Sequence, residues 1–111
     1  MPDTDKAARV LGDVATKLLF ENERVKVWEL ALEPGESTSV HEHEHDYLLI
    51  QLEGDKIAGI FEEDTHGEYP PGTVEGEVTY GNVFFTKKGG VETAKNTGKQ
   101  PYREILVELK D

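Results

Sequence analysis

Short segments of this chain alternate between hydrophobic and polar residues with a period of two, which is the period of a half-buried β-strand. Residues 24–32 (RVKVWELAL) follow this period, although neither face of the segment is purely apolar. Residues 101–110 (PYREILVELK) follow it most clearly. The two faces of that last segment are Tyr102, Glu104, Leu106, Glu108 and Lys110 on one side and Arg103, Ile105, Val107 and Leu109 on the other. The pattern predicts β-strands in both regions.

Turn sequences rich in glycine, proline and asparagine separate the predicted strands. Asn22-Glu23, Gly54-Asp55 and residues 33–36 (EPGE) predict tight turns. Residues 62–72 are acidic and contain glycine and proline, so we expect a loop there. The predicted strands are 16–21, 24–32, 37–40, 48–53, 56–61, 74–80, 82–87, 91–95 and 101–110. Short strands with frequent turns and no long helix are typical of an all-β sandwich or barrel, and a jelly roll suits a chain this short.

The length of 111 residues suits one domain. Residues 1–15 are polar, and we expect an N-terminal extension that is partly disordered and forms a helical turn or two at most. Residues 16–111 contain all of the strand patterns and are predicted to form a single β-barrel domain.

Acidic residues dominate the charge, with 23 Asp and Glu against 12 Lys and Arg and a formal net charge of −11. Nucleic-acid phosphates and anionic lipid surfaces repel such a chain, so we expect neither a nucleic-acid partner nor a membrane partner. No apolar segment is long enough to span a bilayer. Cysteine is absent, which favours a reducing compartment. We therefore expect a cytoplasmic protein in which any metal is held by nitrogen and oxygen ligands.

Three of the four histidines lie in residues 41–45 (HEHEH), directly after the strand-like residues 37–40. In an extended strand, side chains two residues apart project from the same face. His41, His43 and His45 are therefore expected on one face, and two imidazoles at this spacing can bind a single divalent metal ion. The alternative interpretation is an exposed polar segment, or a surface patch that collects metal.

The position of the histidines in the chain favours a buried site. A Pro-Gly turn at 34–35 precedes them, and the apolar residues 48–50 (LLI) follow closely. The histidines then lie at the entry to a core strand, where buried polar groups need partners. A shared metal ion is the simplest such partner.

Two motifs with matched spacing resemble those of the cupin superfamily. The first cupin motif contains a glycine, two histidines one residue apart, a glutamate and a second glycine. The second contains a glycine, a proline, a glycine, a histidine and an asparagine. This chain offers Gly35-x5-His41-x-His43-x3-Tyr47-x6-Gly54 and Gly81-x5-Lys87-x-Gly89-x2-Glu92-x3-Asn96. The resemblance covers about residues 28–109 and implies a cupin-type β-barrel, or jelly roll, of antiparallel strands.

Two of the four ligand positions of the resembled motifs carry other residues. Tyr47 replaces the usual glutamate of the first motif, and Glu92 replaces the usual histidine of the second. Lys87 also replaces the usual proline. The resemblance therefore implies the fold fully and the metal site only in part.

Three arrangements of the site stay open. In the first, His41, His43 and Glu92 form a set of two histidines and one carboxylate. Such a set suits a divalent metal ion, with Fe, Mn, Ni and Zn as candidates. In the second, His45 or Asp46 completes a four-ligand site. In the third, the site is degenerate and the pocket binds an organic ligand without metal.

The resemblance implies two classes of function. The first is a metal-dependent enzyme of dioxygenase, isomerase or decarboxylase type that acts on a small molecule, with Tyr47 or Asp46 as catalytic residue. The alternative is a non-catalytic cupin that binds or senses a small ligand and has a degenerate or absent metal site. Small cupins commonly pair through edge strands, so a homodimer is also implied, with residues 16–32 as the candidate edge.

Aromatic residues are spread over the predicted strands, and in a small barrel we expect them to fill the interior. Tyr47 is the best candidate to contact a ligand, since it lies on the predicted histidine face. The set is Trp28, Tyr47, Tyr80, Phe84, Phe85 and Tyr102.

Overall fold

Nine β-strands form the fold over residues 10–110, the part of the chain that the computed structural model describes. In chain order they are β1 (Lys17–Glu21), β2 (Val25–Leu32), β3 (His41–Glu42), β4 (Asp46–Glu53), β5 (Lys56–Phe61), β6 (Gly72–Glu77), β7 (Val83–Thr86), β8 (Val91–Lys95) and β9 (Tyr102–Leu109). The expected all-β class is confirmed. Residues 10–110 hold no helix of the length and apolar character that crossing a membrane requires.

The strands form two antiparallel sheets. The large sheet has the order β1-β2-β9-β4-β7, and the small sheet has the order β3-β8-β5-β6. Strand β9 is central to the large sheet and pairs with β2 on one side and β4 on the other. Residues of both sheets line one cavity, so the inner faces of the sheets lie opposite each other.

The inner face of the large sheet follows the alternation of β2 and β9. Trp28 pairs with Leu106, and Leu30 pairs with Glu104, so these four side chains share one face. All four are buried. The core cluster consists of Val14, Ala15, Trp28, Leu30, Leu32, Tyr47, Tyr102 and Leu106. The buried inner face of the large sheet therefore includes the carboxyl group of Glu104, and this group lines the cavity.

Two asparagines position the strands that carry this core. Asn22 lies in the predicted turn between β1 and β2, where its side-chain oxygen accepts hydrogen bonds from two backbone N–H groups. Asn96 follows β8 and is completely buried. Its side-chain amide donates to the carbonyl oxygens of Leu32 and Gln100, at 2.9 and 2.8 Å. The asparagine of the second motif thus joins the end of β2 to the turn before β9.

The expectation that the aromatic residues fill the interior is confirmed for Trp28, Tyr47 and Tyr102 and is wrong for Tyr80 and Phe85, whereas Phe84 lines the cavity but stays about half exposed. Tyr80, Phe84 and Phe85 are 79%, 47% and 55% exposed. They lie in or beside β7, which is one edge of the large sheet. The opposite edge, β1, also exposes apolar side chains, namely Leu18, Leu19 and Phe20. An edge strand has a neighbour on one side only, so its side chains have fewer partners.

Two residues ahead of β1 belong to the core. Residues 1–9, on which most of the expected N-terminal extension falls, lie outside the described residues, as does residue 111. Val14 and Ala15 are buried in the core, and the N–H of Gly12 donates to the carbonyl of Val40 at 2.8 Å. The packed unit thus includes residues ahead of β1.

Candidate metal centre

Three buried side chains converge on the inner face of the small sheet. His41 lies in β3 and pairs directly with Glu92 in β8, and His43 follows two residues after His41. Each of the three offers one donor atom, and these atoms lie within 4.8 Å of one another. The residues are 1%, 3% and 8% exposed, in the order His41, His43 and Glu92. A compact set of two imidazoles and one carboxylate is a composition that divalent transition metals bind.

Strand β3 ends at Glu42, and the backbone of His43 is held by the segment that leads into β8. The N–H of His43 donates to the carbonyl of Gly90 at 2.9 Å, and the N–H of Gly89 donates to the carbonyl of His43 at 2.8 Å. Gly89 has a φ of 109°, a conformation that L side chains rarely adopt. The imidazole rings of His41 and His43 then meet edge to face, with their centroids 4.9 Å apart.

The hydrogen bonding of His41 leaves its Nε2 atom available as a metal ligand. Its Nδ1 lies 2.9 Å from the carbonyl oxygen of Ser39, which can only accept a hydrogen bond, so Nδ1 carries the proton. Nε2 then has a free lone pair, in the manner usual for metal-binding histidines. Burial, and after it the neighbouring His43 ring, lowers the pKa of His41. The ring is therefore held in the neutral form that binds metal.

His43 contains the one buried side-chain nitrogen or oxygen atom in residues 10–110 that has no hydrogen-bond partner, its Nδ1. Its other nitrogen, Nε2, lies 3.3 Å from Oε2 of Glu92. A buried polar atom without a partner costs about 1–3 kcal/mol. A ring whose polar atoms are poorly satisfied beside a carboxylate fits a site that takes up a cation, so these residues fit a divalent metal ion.

Two glycines leave space beside the carboxylate. A Cβ atom at Gly59 would lie 3.1 Å from Oε1 of Glu92. A Cβ atom at Gly90 would lie 3.9 Å from Oε2 of Glu92 and 3.8 Å from the ring of His43. The backbone of the small sheet therefore forms the wall of the site at these two positions.

The other predicted ligands lie elsewhere. The structure does not bring His45 into the group: His45 is half-buried and lines a separate pocket with Trp28 and Glu108. The expected common face of the three histidines requires a strand through residue 45, whereas β3 ends at Glu42. Asp46 accepts a hydrogen bond from the backbone N–H of Lys88 at 2.9 Å and does not line the cavity.

Tyr47 stands next to the site, as its motif position implied. Its ring stacks on that of His43, with centroids 4.2 Å apart and an interplanar angle of 21°. Burial, and after it the nearby Glu92 carboxylate, raises the pKa of Tyr47. The hydroxyl is therefore protonated at neutral pH and can donate a hydrogen bond inside the cavity.

The site opens into a cavity of about 230 Å³ between the two sheets. Aromatic and aliphatic side chains form most of its wall, including Phe61, Tyr69 and Phe84. The ionisable groups that line it are His41, His43, Tyr47, Tyr69, Glu75, Glu77, Glu92, Tyr102 and Glu104. Among the described residues, no lysine or arginine lines this cavity.

A second polar cluster, Gln51–Tyr102–Glu104, faces the cavity from the large sheet, and sequence reasoning did not assign it a role. The side-chain oxygen of Gln51 accepts a hydrogen bond from the side-chain amide of Asn82 at 3.1 Å. The amide nitrogen of Gln51 then faces the Tyr102 hydroxyl, 3.4 Å away. The Tyr102 hydroxyl in turn donates to Oε1 of Glu104. The signal that could have found the cluster is the alternation of β9, which places Tyr102 and Glu104 on one face.

The buried carboxyl group of Glu104 has a raised pKa. Burial raises the pKa of Glu104 to about 8, the Tyr102 hydrogen bond opposes this rise, and the nearby Glu92 adds to it. At neutral pH the Glu104 carboxyl therefore holds a proton in most molecules.

Solved structures of cupin domains are similar to this chain over most of its length. A cupin domain from Bordetella pertussis Tohama I matches 90% of this chain and 100% of its own, with a TM-score of 0.71 and 23% identity. An RmlC-like cupin family protein with a double-stranded β-helix fold, from Methanocaldococcus jannaschii, matches 89% of this chain and 94% of its own, with a TM-score of 0.61 and 15% identity. This chain has the cupin fold.

The cupin fold confirms the architecture that the two motifs implied. The same fold relates the chain to the polyketide cyclase RemF from Streptomyces resistomycificus, with a TM-score of 0.56 and 19% identity over 81% of this chain and 57% of RemF. No protein-family model matches the sequence, and no curated protein matches it significantly. Within the cupin fold, the assignment of ligands rests on the geometry described above and stays a prediction for each residue.

Proposed function

We propose that this cupin-fold protein binds one divalent metal ion through His41, His43 and Glu92 and binds a small molecule beside it in the cavity. The observation that carries the proposal is the convergence of three buried donor groups within 4.8 Å. The position of the buried His43 ring supports it, because its Nε2 lies 3.3 Å from Oε2 of Glu92. Fe, Mn, Ni and Zn all accept this type of ligand set.

We further propose that the protein is a metal-dependent enzyme of dioxygenase, isomerase or decarboxylase type. A metal ion in this set supplies Lewis-acid polarisation of an oxygen atom, or redox chemistry if it is iron. Tyr47 orients the small molecule, since its ring stacks on His43 and its hydroxyl stays protonated. RemF, a polyketide cyclase, shows that a protein of similar fold carries an enzymatic activity.

Asp46 has a weaker claim to a catalytic role than Tyr47. Its carboxylate is engaged by the backbone N–H of Lys88 and lies outside the cavity lining. We therefore propose that Asp46 fixes the loop before β8, and that Tyr47 is the residue in contact with the ligand.

The alternative function is a non-catalytic protein that binds or senses a small ligand. The observation that favours it is the replacement of two usual ligand positions, by Tyr47 and Glu92. The two functions differ in metal content, since the alternative requires no stoichiometric metal.

Metal content after reconstitution tests the proposal. The purified protein is incubated separately with Fe(II), Mn(II), Ni(II) and Zn(II), dialysed, and analysed by mass spectrometry of the elements. We expect about one ion per chain for at least one metal. His43→Ala loses it, whereas the matched variant His45→Ala keeps it, because His45 lines another pocket. A protein that retains no metal overturns the proposal, and equal losses in both variants would show an exposed histidine patch instead.

We also propose that two copies of the chain pair through β1, and that the protein is cytoplasmic. Exposed Leu18, Leu19 and Phe20 on an edge strand support the pairing, since apolar edges favour another strand. Light scattering coupled to gel filtration should give the mass of a dimer for the wild type and of a monomer for Leu19→Lys. The matched variant Phe85→Lys, on the opposite edge, should remain dimeric.

The absence of cysteine supports the proposed cytoplasmic location, which cell fractionation tests.

A further inference from the structure

The large-sheet side of the cavity ends in a carboxyl group that is almost completely buried. Glu104 is 3% exposed. Its Oε1 is held by the Tyr102 hydroxyl, and that hydroxyl faces the Gln51 amide. Glu104 is therefore fixed in place by a directed chain of hydrogen bonds, and its orientation does not depend on a ligand.

The second oxygen of Glu104 is directed at the cavity. Oε2 makes no hydrogen bond to any of residues 10–110, and it is not among the atoms that are sealed from solvent. Since Glu104 lines the cavity, this oxygen is available to a bound molecule. The hydrophobic core would have been satisfied by leucine or methionine at this position, so a buried carboxyl aimed into a cavity points to a ligand.

The charge of the cavity lining restricts what that ligand can be. Glu75 and Glu77 lie on the exposed strand β6, and Glu92 and Glu104 lie inside. No positively charged lysine or arginine balances them among the described lining residues. In the metal-free protein, a carboxylate or phosphate ligand would lose its hydration in front of Glu75, Glu77 and Glu92, whereas a cationic group would be attracted.

We propose that the cavity takes a small molecule that carries a primary ammonium group, and that Glu104 is the specificity-determining residue that accepts a hydrogen bond from this group. The inference rests on the proposed function in that both place a small molecule in the same cavity. The volume of about 230 Å³ lies below the range of drug-sized sites, so the ligand is small. Phe61 and Tyr69, whose rings are 5.2 Å apart, add apolar surface and a cation-π face.

Binding of the ammonium group is linked to loss of the Glu104 proton. Glu104 is faced by Tyr102 on its own strand, by Tyr47 and Gln51 on β4, by Leu30 on β2 and by Glu92 on β8. An opposite charge at hydrogen-bond distance favours the carboxylate, so the ligand enters as the proton leaves. Affinity for an amine should therefore increase as the pH rises toward about 8.

Calorimetry of three similar probes on metal-free protein tests the inference. Benzylamine, benzyl alcohol and benzoate share a ring and differ in the charge of the substituent. We expect benzylamine to bind about tenfold or more tightly than benzyl alcohol, and benzoate not to bind. Benzylamine should release protons at neutral pH, seen as a dependence of the heat on the buffer. Benzylamine that binds no more tightly than benzyl alcohol, including no binding of either, overturns the inference.

Two variants assign the effect to Glu104. Glu104→Gln keeps the shape and the acceptor for Tyr102 but removes the charge, and it should abolish the preference for benzylamine over benzyl alcohol. The matched variant Glu23→Gln removes one charge from the exposed β1–β2 turn and should keep the preference. If Glu104→Gln does not fold by circular dichroism, Tyr102→Phe decides. It removes the hydrogen bond that lowers the pKa of Glu104, so the pH at which benzylamine binding strengthens should rise. An unchanged preference in Glu104→Gln, or an unchanged midpoint in Tyr102→Phe, contradicts the assignment.

The same preparations separate this inference from the proposed function. Metal content is measured on one portion and benzylamine binding on another. A protein that holds metal but shows no amine preference refutes the inference alone. A protein that prefers benzylamine but retains none of the four metals refutes the metal site alone.

Discussion

The cavity has two polar ends, one from each sheet, and the buried polar atoms at the two ends differ in how completely they are hydrogen-bonded. The small-sheet end, His41–His43–Glu92, leaves a nitrogen of His43 without a partner and brings two neutral rings to a carboxylate. The large-sheet end, Gln51–Tyr102–Glu104, is a closed chain of hydrogen bonds whose carboxyl holds a proton at neutral pH. Both ends contain a buried glutamate, but Glu92 lies beside two imidazoles, whereas Glu104 accepts a hydrogen bond from the Tyr102 hydroxyl.

The difference shows that burial alone does not decide what a carboxyl group does. A buried carboxylate is costly, and it can be stabilised by a cation or relieved by a proton. Glu92 lies beside two imidazoles with free acceptor capacity, which suits a cation. Glu104 lies beside a hydroxyl donor and apolar side chains, which suits a proton. The neighbours of each group therefore decide the outcome.

The largest expected effect is on metal binding at the small-sheet end. Glu92→Gln removes the one carboxylate of the set, and metal affinity should fall by more than about 100-fold, beyond the loss usual for residues that merely support a ligand. Competition with a coloured chelator measures this. Glu44→Gln changes an exposed carboxylate nearby and should leave the affinity unchanged. Equal losses in the two variants would mean that the exposed acidic segment binds the metal and that the two ends do not differ as described.

The next effect concerns stability and pH at the large-sheet end. The folded state keeps the Glu104 proton up to about pH 8, whereas the unfolded chain loses it at the ordinary glutamate pKa. Between these values the folded state binds more protons, so its stability falls as the pH rises. Relative to Glu104→Gln, the wild type should lose about 3–4 kcal/mol of unfolding free energy between about pH 5 and about pH 8, measured by urea unfolding.

A matched variant checks this pH effect. Glu63→Gln changes an exposed loop glutamate and should keep the pH dependence of the wild type. If the stability difference between wild type and Glu104→Gln is the same at both pH values, Glu104 is ionised in the folded state, and the contrast between the two ends disappears.

The smallest effect tests whether the two ends are independent. Tyr102→Phe leaves Oε1 of Glu104 without its donor and should lower the free energy of unfolding by about 1 kcal/mol. Tyr80→Phe makes the same change on a side chain that is 79% exposed and should have no measurable effect in urea unfolding. Metal affinity should be unchanged in both variants. A marked loss of metal affinity in Tyr102→Phe would show that the ends act as one unit.

Much of the fold could be predicted because it is encoded locally. The period of two predicted β2 and β9, and Asn22 marked the turn between β1 and β2. The resemblance of the two motifs named His41, His43 and Glu92 as one of three possible arrangements, and the structure brings these three together. Local pattern and motif spacing were therefore sufficient for the architecture, whereas the choice among the candidate ligands needed the structure.

What could not be predicted depends on contacts between distant segments. His45 does not share a face with His41 and His43 because β3 ends at Glu42. The backbone of His43 is hydrogen-bonded to Gly89 and Gly90, and the strand does not continue to His45. Alternation in β9 defined two faces without saying which one lies inside. The more apolar face, with Ile105 and Val107, is the half-buried one, and the inner face carries Tyr102 and Glu104. Only the pairing with β2 and β4 decides this.

The two glycines beside Glu92 have a consequence for how this protein can change. At Gly59 a single methyl group would come within 3.1 Å of the carboxylate, and at Gly90 it would lie against both Glu92 and His43 at ordinary contact distance. A substitution to alanine at either position alters the room around the donor atoms while leaving every donor in the chain. A single substitution of Gly59 by alanine would therefore narrow the space around Glu92 while every donor residue stays in the chain.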